Sequence, residues 1–446
     1  MAQLQPSCHF IVSRLRLANS TMTNTPSLYK NGPIRGWLKR IFFACLLLAG
    51  FALVTTVLAL HYWFLPNIDN YRDNIAQATS RAAGQRITIG KITADWAELR
   101  PHLSLDDVQV FDQAGRPALA LSRVAATLSW FTLTTGEVRL HLLEFEQPQL
   151  SILRNPQGVI YVAGVALGQN TGGTDFGDWL LKQRHLVIRD ATILWQDEKL
   201  SAPQLKLTSV TLRLDNKGNR HHFSLDATPP AILAAPLEVK GDFTGYGVDP
   251  DDLAKWQGTM SAQFDYADIA AWRIWLPYPI EVQNGTGALR VSLTLKDAHI
   301  QEATADVHLS QVKTRLRPDL PEMNLTELRG RLGWKILNRG FELSGIKLSL
   351  ATRAGIALKS ADFTVRIYPG NDQEPMRGEI EANAFDLQPL AVLADHLPLP
   401  QELRQQLVSF SPRGSVYDMA LKWSGDLPVP SQYSVKGRFV NLALNP

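Results

Sequence analysis

Cysteine is nearly absent from this chain of 446 residues, and both of its occurrences lie near the N-terminus. Cys8 precedes a long apolar run and Cys45 belongs to that run, so the rest of the chain can form neither disulfides nor thiolate metal sites. A large region without cysteine suits an oxidising compartment, where stray thiols are a hazard. Its stability must therefore come from the burial of apolar side chains.

Signatures of catalysis and of nucleic-acid binding are missing as well. The sequence contains no H-E-x-x-H, no G-x-S-x-G and no S-x-x-K with its partner motifs. The 45 Lys and Arg residues nearly balance the 42 Asp and Glu residues, and no basic stripe with interleaved aromatic residues follows the apolar run. We therefore predict that the protein is not an enzyme, uses no cofactor or metal, and has no nucleic-acid partner.

The one long hydrophobic run, Ile41–Leu65, has the length of a membrane-spanning helix. Its first twenty residues carry no charge and no proline, and at about 1.5 Å of rise per residue they can cross a hydrocarbon core of about 30 Å. The run is longer than the apolar region of a signal peptide, and no A-x-A-like cleavage site follows it. We therefore expect a retained anchor.

The residues that flank this run predict its orientation. Basic residues precede it and none follows until Arg72, which places the N-terminus in the cytoplasm and the rest of the chain across the membrane. Aromatic residues near its other end suit the interfacial belt of a membrane protein. The flanking residues expected at the two membrane surfaces are Arg35, Lys39, Arg40, Tyr62 and Trp63.

Beyond the anchor, the period of the apolar residues changes along the chain. Ile68, Tyr71 and Ile75 recur at helical spacing and predict an amphipathic helix that packs on the first strands. From residue 85 onward, short alternating runs bounded by turn residues predict a mostly antiparallel sheet, because no long helices separate them. The predicted parts are a disordered tail (1–33), the anchor (34–65), the helix (66–84), an N-terminal β region (85–257) and a repeat region (258–446).

Two segments of the last region are similar to each other. Residues 258–279 and 378–400 each begin with a strand pattern, contain a Phe-Asp pair, and pass through a helical stretch to a Leu-Pro-x-Pro sequence. A third copy begins at Ser434, and the sequence stops before its helix. Units of this kind stack and bury their faces against their neighbours. We therefore expect this chain to be the N-terminal part of a longer protein.

Several predicted strands have one apolar face, and the sequence predicts few helices that could pack against it. Such a face is either closed as a sandwich or left open as a groove that holds an apolar ligand, and periodicity alone does not separate the two. The residues predicted to line this face are Leu105, Val108, Val110, Leu205, Leu207, Leu212, Leu214, Leu289, Val291, Leu293, Leu295, Leu332 and Trp334.

The order of the motifs resembles a known family. It runs from GQRITIGK (84–91) through LSLDDVQVF (103–111) and NPQGVIYVAGV (155–165) to LVIRDATILW (186–195). This pattern resembles the YhdP branch of the AsmA-like proteins of Gram-negative envelopes. The resemblance implies an inner-membrane anchor followed by an elongated β-groove built of repeats, and it favours the groove over the sandwich.

The expected fold class is therefore mainly β with short helices, in which one N-terminal transmembrane helix precedes a mostly antiparallel β-groove. The resemblance implies that the protein conducts phospholipids between the inner and outer membranes and supports the outer-membrane permeability barrier. The implied partners are phospholipid, the inner membrane, and membrane proteins at the two ends of the groove. The implied location is the inner membrane, crossed once, with the bulk of the chain in the periplasm.

A second hypothesis comes from a different class of protein. A membrane-tethered β-sandwich could act as a scaffold that assists the assembly of outer-membrane proteins by strand addition at a sheet edge. The two hypotheses differ in whether the apolar sheet face is open or closed.

Overall fold

A computed structural model of the chain describes residues 34–83, 86–97, 100–111, 117–130, 132, 139–162, 165–166, 182–246, 255–278, 280–297, 299–427 and 429–445. The predicted disordered tail (1–33) lies outside the described residues. The chain divides into two compact units, of which the first ends at His61 and the second comprises Tyr62–Pro446.

The first unit contains helix α1 (Ile34–Ala59), which is long and apolar enough to cross a membrane. Its large apolar side chains, such as Phe42, Leu47 and Phe51, are exposed, as a surface that faces lipid requires. The hydroxyls of Thr55 and Thr56 each donate to a backbone carbonyl one turn earlier, at 2.8 Å, so these polar groups are satisfied within the helix.

A helical segment follows α1 in the chain and continues into the second unit. A π-helical turn (Leu60–Phe64) leads into a 3₁₀ helix (Leu65–Tyr71) and helix α2 (Arg72–Ala83). The path bends at Asn67, whose backbone is not helical. The Asp69 carboxylate accepts a hydrogen bond from the backbone N–H of Ile92 at 2.9 Å and ties the segment to the sheet.

The remaining elements are strands and a few short helices. The strands are β1 (Ile87–Thr88), β2 (Lys91–Ala97), β3 (Arg100–Phe111), β4 (Pro117–Leu128), β5 (Leu140–Glu146), β6 (Gln149–Arg154), β7 (Ile160–Val162), β8 (Val165–Ala166), β9 (His185–Asp197), β10 (Leu205–Lys217), β11 (Arg220–Thr228), β12 (Leu237–Thr244), β13 (Gln257–Asp268), β14 (Glu281–Lys296), β15 (His299–Arg315), β16 (Met323–Ile336), β17 (Phe341–Thr352), β18 (Ala357–Tyr368), β19 (Arg377–Asp386), β20 (Arg413–Ser424) and β21 (Gln432–Ala443). The short helices are α3 (Ile269–Trp272), α4 (Leu387–Leu393), a 3₁₀ turn (Ala394–His396) and α5 (Gln401–Phe410).

The described strands form one 21-stranded sheet. From β9 to β21 every strand pairs antiparallel with the next, and the same holds from β2 to β5. The prediction of a mainly β, mostly antiparallel fold with short helices is confirmed. The described part of the chain contains no second sheet that could pack against this one.

One junction in the sheet is parallel. Strand β9 pairs in parallel with β5 along its first half and with β6 along its second half. An ion pair joins β6 to β9, because Nε and Nη2 of Arg154 each donate to one oxygen of the buried Asp197 carboxylate. Burial acts to raise the pKa of Asp197, but hydrogen bonds from Arg154 and from the backbone N–H of Leu200 outweigh it and leave this pKa below its ordinary value.

Several strands contain one residue with a left-handed backbone. Examples are Asp107 on β3 (φ 53°), Ser209 on β10 (φ 48°) and Lys347 on β17 (φ 51°). Such a residue locally breaks the alternation, so that side chains three positions apart can share a face. At Asp106 and Asp107, the N–H of Gly90 donates to the carbonyl oxygens of both residues.

The two similar sequence segments adopt similar structures. In each, a strand (β13 or β19) runs directly into a short helix (α3 or α4) before the chain returns to the sheet. Asp268 caps α3 by accepting from the N–H of Ala271 at 3.0 Å. Asp386, at the start of α4, instead accepts from the Ser415 hydroxyl at 2.6 Å. Both carboxylates thus fix the turn from strand to helix.

Candidate functional site

An apolar row crosses nearly the whole sheet on one face. Residues paired across neighbouring strands point to the same face, so the strand registers define which side chains lie side by side. From β2 to β20 this first row contains only apolar residues or glycine. Its members are Ile92, Leu105, Val124, Phe145, Ile188, Leu212, Leu225, Val239, Ala262, Val291, Ala305, Leu332, Gly345, Phe363, Ala382 and Met419.

A second apolar row lies beside the first, two residues away along each strand. It also contains only apolar residues or glycine, and it extends to the last strand. Its members are Ala94, Leu103, Ala126, Leu143, Leu186, Leu214, Phe223, Gly241, Met260, Leu293, Ala303, Trp334, Leu343, Val365, Ile380, Leu421 and Val435. The two rows define what we call the apolar face.

The row between them points to the opposite face and is mostly polar. It runs from Thr93 and Ser104 to Ser292, Thr304, Ser344, Thr364 and Glu381. We call this side of the sheet the outer face. The two faces of the sheet therefore differ strongly in polarity. The outer face is the one expected to contact water.

Ion pairs cross the strands on the outer face. Lys335 lies 3.4 Å from Glu302, Arg366 2.7 Å from Glu342, and Lys422 2.9 Å from Glu379. A nearby pair joins Arg331 to Asp306 at 2.6 Å. The hydrogen bond from Arg331 holds the pKa of Asp306 below its ordinary value, so this pair stays charged at neutral pH.

The helical segment covers the N-terminal part of the apolar face. Ile68 and Ile75 pack against the cluster formed by Ile92, Leu143 and Leu186, in agreement with the predicted packing of this helix. Ile92 and Leu186 are only 2% and 3% exposed. Beside the Asp69 bond to Ile92, the Arg72 guanidinium donates to the Gly90 carbonyl at 2.8 Å. The beginning of the apolar face is thus a closed core.

Further along the sheet, the apolar face is open. Leu332 and Leu343, one in each row, are 37% and 41% exposed. Short helices cover only a strip near one end of the strands, where Ile269 of α3 and Leu397 after α4 pack against Leu309. Exposed apolar residues in continuous rows are unusual for a protein surface and indicate a binding surface.

Glycines in and beside the rows let aromatic rings lie against the sheet. A Cβ at Gly345 would overlap the ring of Phe363 on the neighbouring strand, and a Cβ at Gly241 would overlap Phe223. Gly378 stands in the same relation to Trp423. Because these glycines lack a side chain, the rings occupy their space and fill gaps in the apolar face.

The sequence-predicted lining residues all lie on strands of this sheet. Leu105, Leu212, Val291 and Leu332 belong to the first row, and Leu214, Leu293 and Trp334 belong to the second. Leu289 and Leu295 flank these rows on β14. Val108 and Val110 follow the irregularity at Asp107, and Leu205 and Leu207 precede the one at Ser209. Of these, Leu105, Val108 and Leu214 belong to or pack against the core that the helical segment covers.

The predicted membrane-flanking residues divide between two elements. Arg35, Lys39 and Arg40 lie in the first turns of α1, and the side chains of Lys39 and Arg40 are exposed. Tyr62 and Trp63 lie in the π-helical turn and are also exposed.

Many residues of the apolar face were missing from the sequence prediction. Phe145, Ile188, Phe363, Ile380 and Met419 are examples, each paired in register with a row member. Alternation within one strand shows which residues share a face, but it does not show which strands align. In β10, the spacing of apolar residues changes from two to three between Leu207 and Val210. This change is a sequence signal that could have shown that the apolar residues of both halves of the strand lie on the same face.

Within the described residues, no group of three or more His, Cys, Asp or Glu side chains lies close enough together to hold a metal ion. The fold and the face define a class of protein: an open, one-sided β-sheet that follows an N-terminal helix able to span a membrane.

Comparison with known families identifies the chain further. The YhdP protein family matches residues 22–446, and the chain therefore belongs to this family. This confirms the resemblance noted in the sequence. Comparisons with curated proteins and with solved structures find no significant match.

Proposed function

We propose that this protein holds the acyl chains of phospholipids on its apolar face and conducts them through the periplasm between the inner and outer membranes. The observation that carries the proposal is the pair of apolar rows, which stay in register across the sheet and are open beyond the covered N-terminal part. At about 4.8 Å per strand, the part from β11 to β21 offers an apolar path of about 50 Å.

The physical basis of binding is the transfer of methylene groups from water to an apolar surface. Each buried CH₂ contributes about 0.8 kcal/mol, so acyl chains are retained without any directional contact. Because both rows are apolar at every strand, successive positions differ little in free energy. A bound chain can therefore slide from strand to strand, while its polar headgroup stays in water.

The anchor supplies the location. Helix α1 holds the protein in the inner membrane, crossing it once, and the basic residues that precede it keep the N-terminus in the cytoplasm. The sheet then lies in the periplasm, where its cysteine-free sequence is chemically suitable. On this proposal the protein is a conduit and not an enzyme, and its other partners are membrane proteins at the two ends of the path.

Lipid extraction from the purified full chain tests the proposal. We expect phospholipid in a stoichiometric ratio to protein, measured by mass spectrometry after exchange into lipid-free detergent. A variant with several aspartates on the apolar face should lose this lipid. A matched variant with aspartates on the outer face should keep it. Wild-type protein that carries no more lipid than the apolar-face variant would contradict the proposal.

A scaffold that assists outer-membrane proteins by strand addition at a sheet edge is the second candidate function. Such a protein would remain free of bound phospholipid in the same extraction.

A further inference from the structure

A recess on the outer face collects basic side chains. It lies near the starts of β3, β5 and β9 and the end of β10, on the side of the sheet opposite to the apolar face. Its floor includes Thr127, Leu142 and Val187. The charged and titratable residues that line it are Arg100, His141, His185, Arg213 and Asp215.

The two arginines of this recess differ from their neighbours. Arg189, Arg220 and Arg331, also on the strands, each have a carboxylate partner on an adjacent strand. Among the described residues, neither Arg100 nor Arg213 has a carboxylate within ion-pair distance, although both line the same recess. Two arginines without a carboxylate partner therefore line one small recess.

The histidines add further donors. Nδ1 of His185 lies 2.5 Å from a carboxylate oxygen of Asp215, so this nitrogen donates to the carboxylate. This bond orients the ring and leaves Nε2 on its other side for a ligand. The ring of His141 stands edge to face with that of His185, at 5.2 Å between centroids. The imidazole pair thus forms one wall of the recess.

We propose that this recess binds a phosphoanion, which is either the phosphate of a lipid headgroup or that of a soluble phosphate compound. Guanidinium groups match the oxygen geometry of phosphate and donate to it in pairs. The two arginine charges exceed the single charge of Asp215, so the recess attracts an anion even when both imidazoles are neutral. The site is independent of the acyl-chain proposal, because it occupies the opposite face of the sheet.

Titration of the full chain in detergent micelles tests the site. The probes are inorganic phosphate, glycerol 3-phosphate and glycerophosphoglycerol, at constant ionic strength, followed by calorimetry. We expect saturable binding of at least one probe. R100Q and R213Q should each weaken it about tenfold or more, because each removes charge-assisted hydrogen bonds. R213K should lie between R213Q and wild type, since it keeps the charge but not the planar pair of donors.

The choice of probe distinguishes the two sources. Tighter binding of the diester glycerophosphoglycerol indicates that the ligand is a lipid headgroup. Tighter binding of inorganic phosphate and glycerol 3-phosphate indicates a soluble phosphate compound. R220Q is the matched control, because it removes the same charge from the same face outside the recess. The proposal is overturned if no probe binds saturably, or if R220Q weakens binding as much as R213Q does. Unchanged thermal melting of each variant shows that the effect is local.

Discussion

Replacing Leu343 by aspartate is expected to interrupt lipid binding on the apolar face. Leu343 lies in the second row, between Trp334 on β16 and Val365 on β18. Because its side chain is 41% exposed, the fold depends on it less than on a core residue. The neighbouring Ser344 points to the outer face, between Gly333 and Thr364, and S344D is the matched control with the same new charge on the same strand.

The size of the effect follows from the spacing of the strands. An acyl chain that crosses one strand spacing of about 4.8 Å places about four methylene groups beside this position. Keeping them away from a hydrated carboxylate costs about 0.8 kcal/mol each, or about 3.2 kcal/mol in total. Since 1.4 kcal/mol is a factor of ten in an equilibrium constant, local occupancy should fall about 200-fold.

A photo-crosslinking amino acid at Val365, directly opposite Leu343, measures local occupancy. We expect the yield of lipid adducts at this position to drop strongly in L343D and to stay near the wild-type level in S344D. The variant L343A, which keeps the position apolar, should retain most of the yield. Equal yields in L343D and S344D would refute the account of how the face binds lipid.

Three further predictions concern the fold. I68A should lower the free energy of unfolding by about 2–4 kcal/mol, because it leaves a cavity in the closed core at the N-terminal end of the apolar face. Denaturant titration measures this difference. A change below about 1 kcal/mol would show that the helical segment is not packed there. The stability that Asp197 contributes should be present above the ordinary carboxyl pKa of about 3.9 and be lost as pH falls through its lowered folded pKa. In acid titrations followed by circular dichroism, D197N should therefore lose part of this low-pH dependence, and an unchanged acid transition would contradict the assignment. G345A should lower the melting temperature more than G333A, because a methyl at Gly345 meets the ring of Phe363, whereas at Gly333 it meets only the movable hydroxyl of Ser344.

The strands and their two faces were predictable from the sequence because alternation is a local property. Leu289, Val291, Leu293 and Leu295 alternate with polar residues, and this alone assigns them to one face of β14. The helix after the anchor was predictable for the same reason, since Ile68 and Ile75 repeat at helical spacing and do reach the core.

The continuity of the rows was not predictable, because it depends on registers between strands. Nothing in the spacing of Phe145 and Ile188 indicates that they lie side by side, since their strands pair in parallel after an intervening segment. The left-handed residues also shift the alternation within a strand, as at Ser209 and Lys347, neither of which is a glycine or proline that would have marked the break.

The recess on the outer face was also missed by the sequence analysis. Arg100, His141, His185 and Arg213 are widely separated along the chain and form no motif. They meet only because β9 lies between β5 and β10, which brings the starts of three strands to one place. Sites of this kind depend on topology and cannot be found from local spacing.

The most direct test of the central claim compares three consecutive residues of β14. Val291 and Leu293 belong to the two apolar rows, and Ser292 points to the outer face between Ser261 and Thr304. With a photo-crosslinking amino acid at each position in turn, in cells, we predict phospholipid adducts at Val291 and Leu293 and none at Ser292. Adducts at Ser292 alone, or at none of the three, would contradict the claim that the apolar face carries lipid.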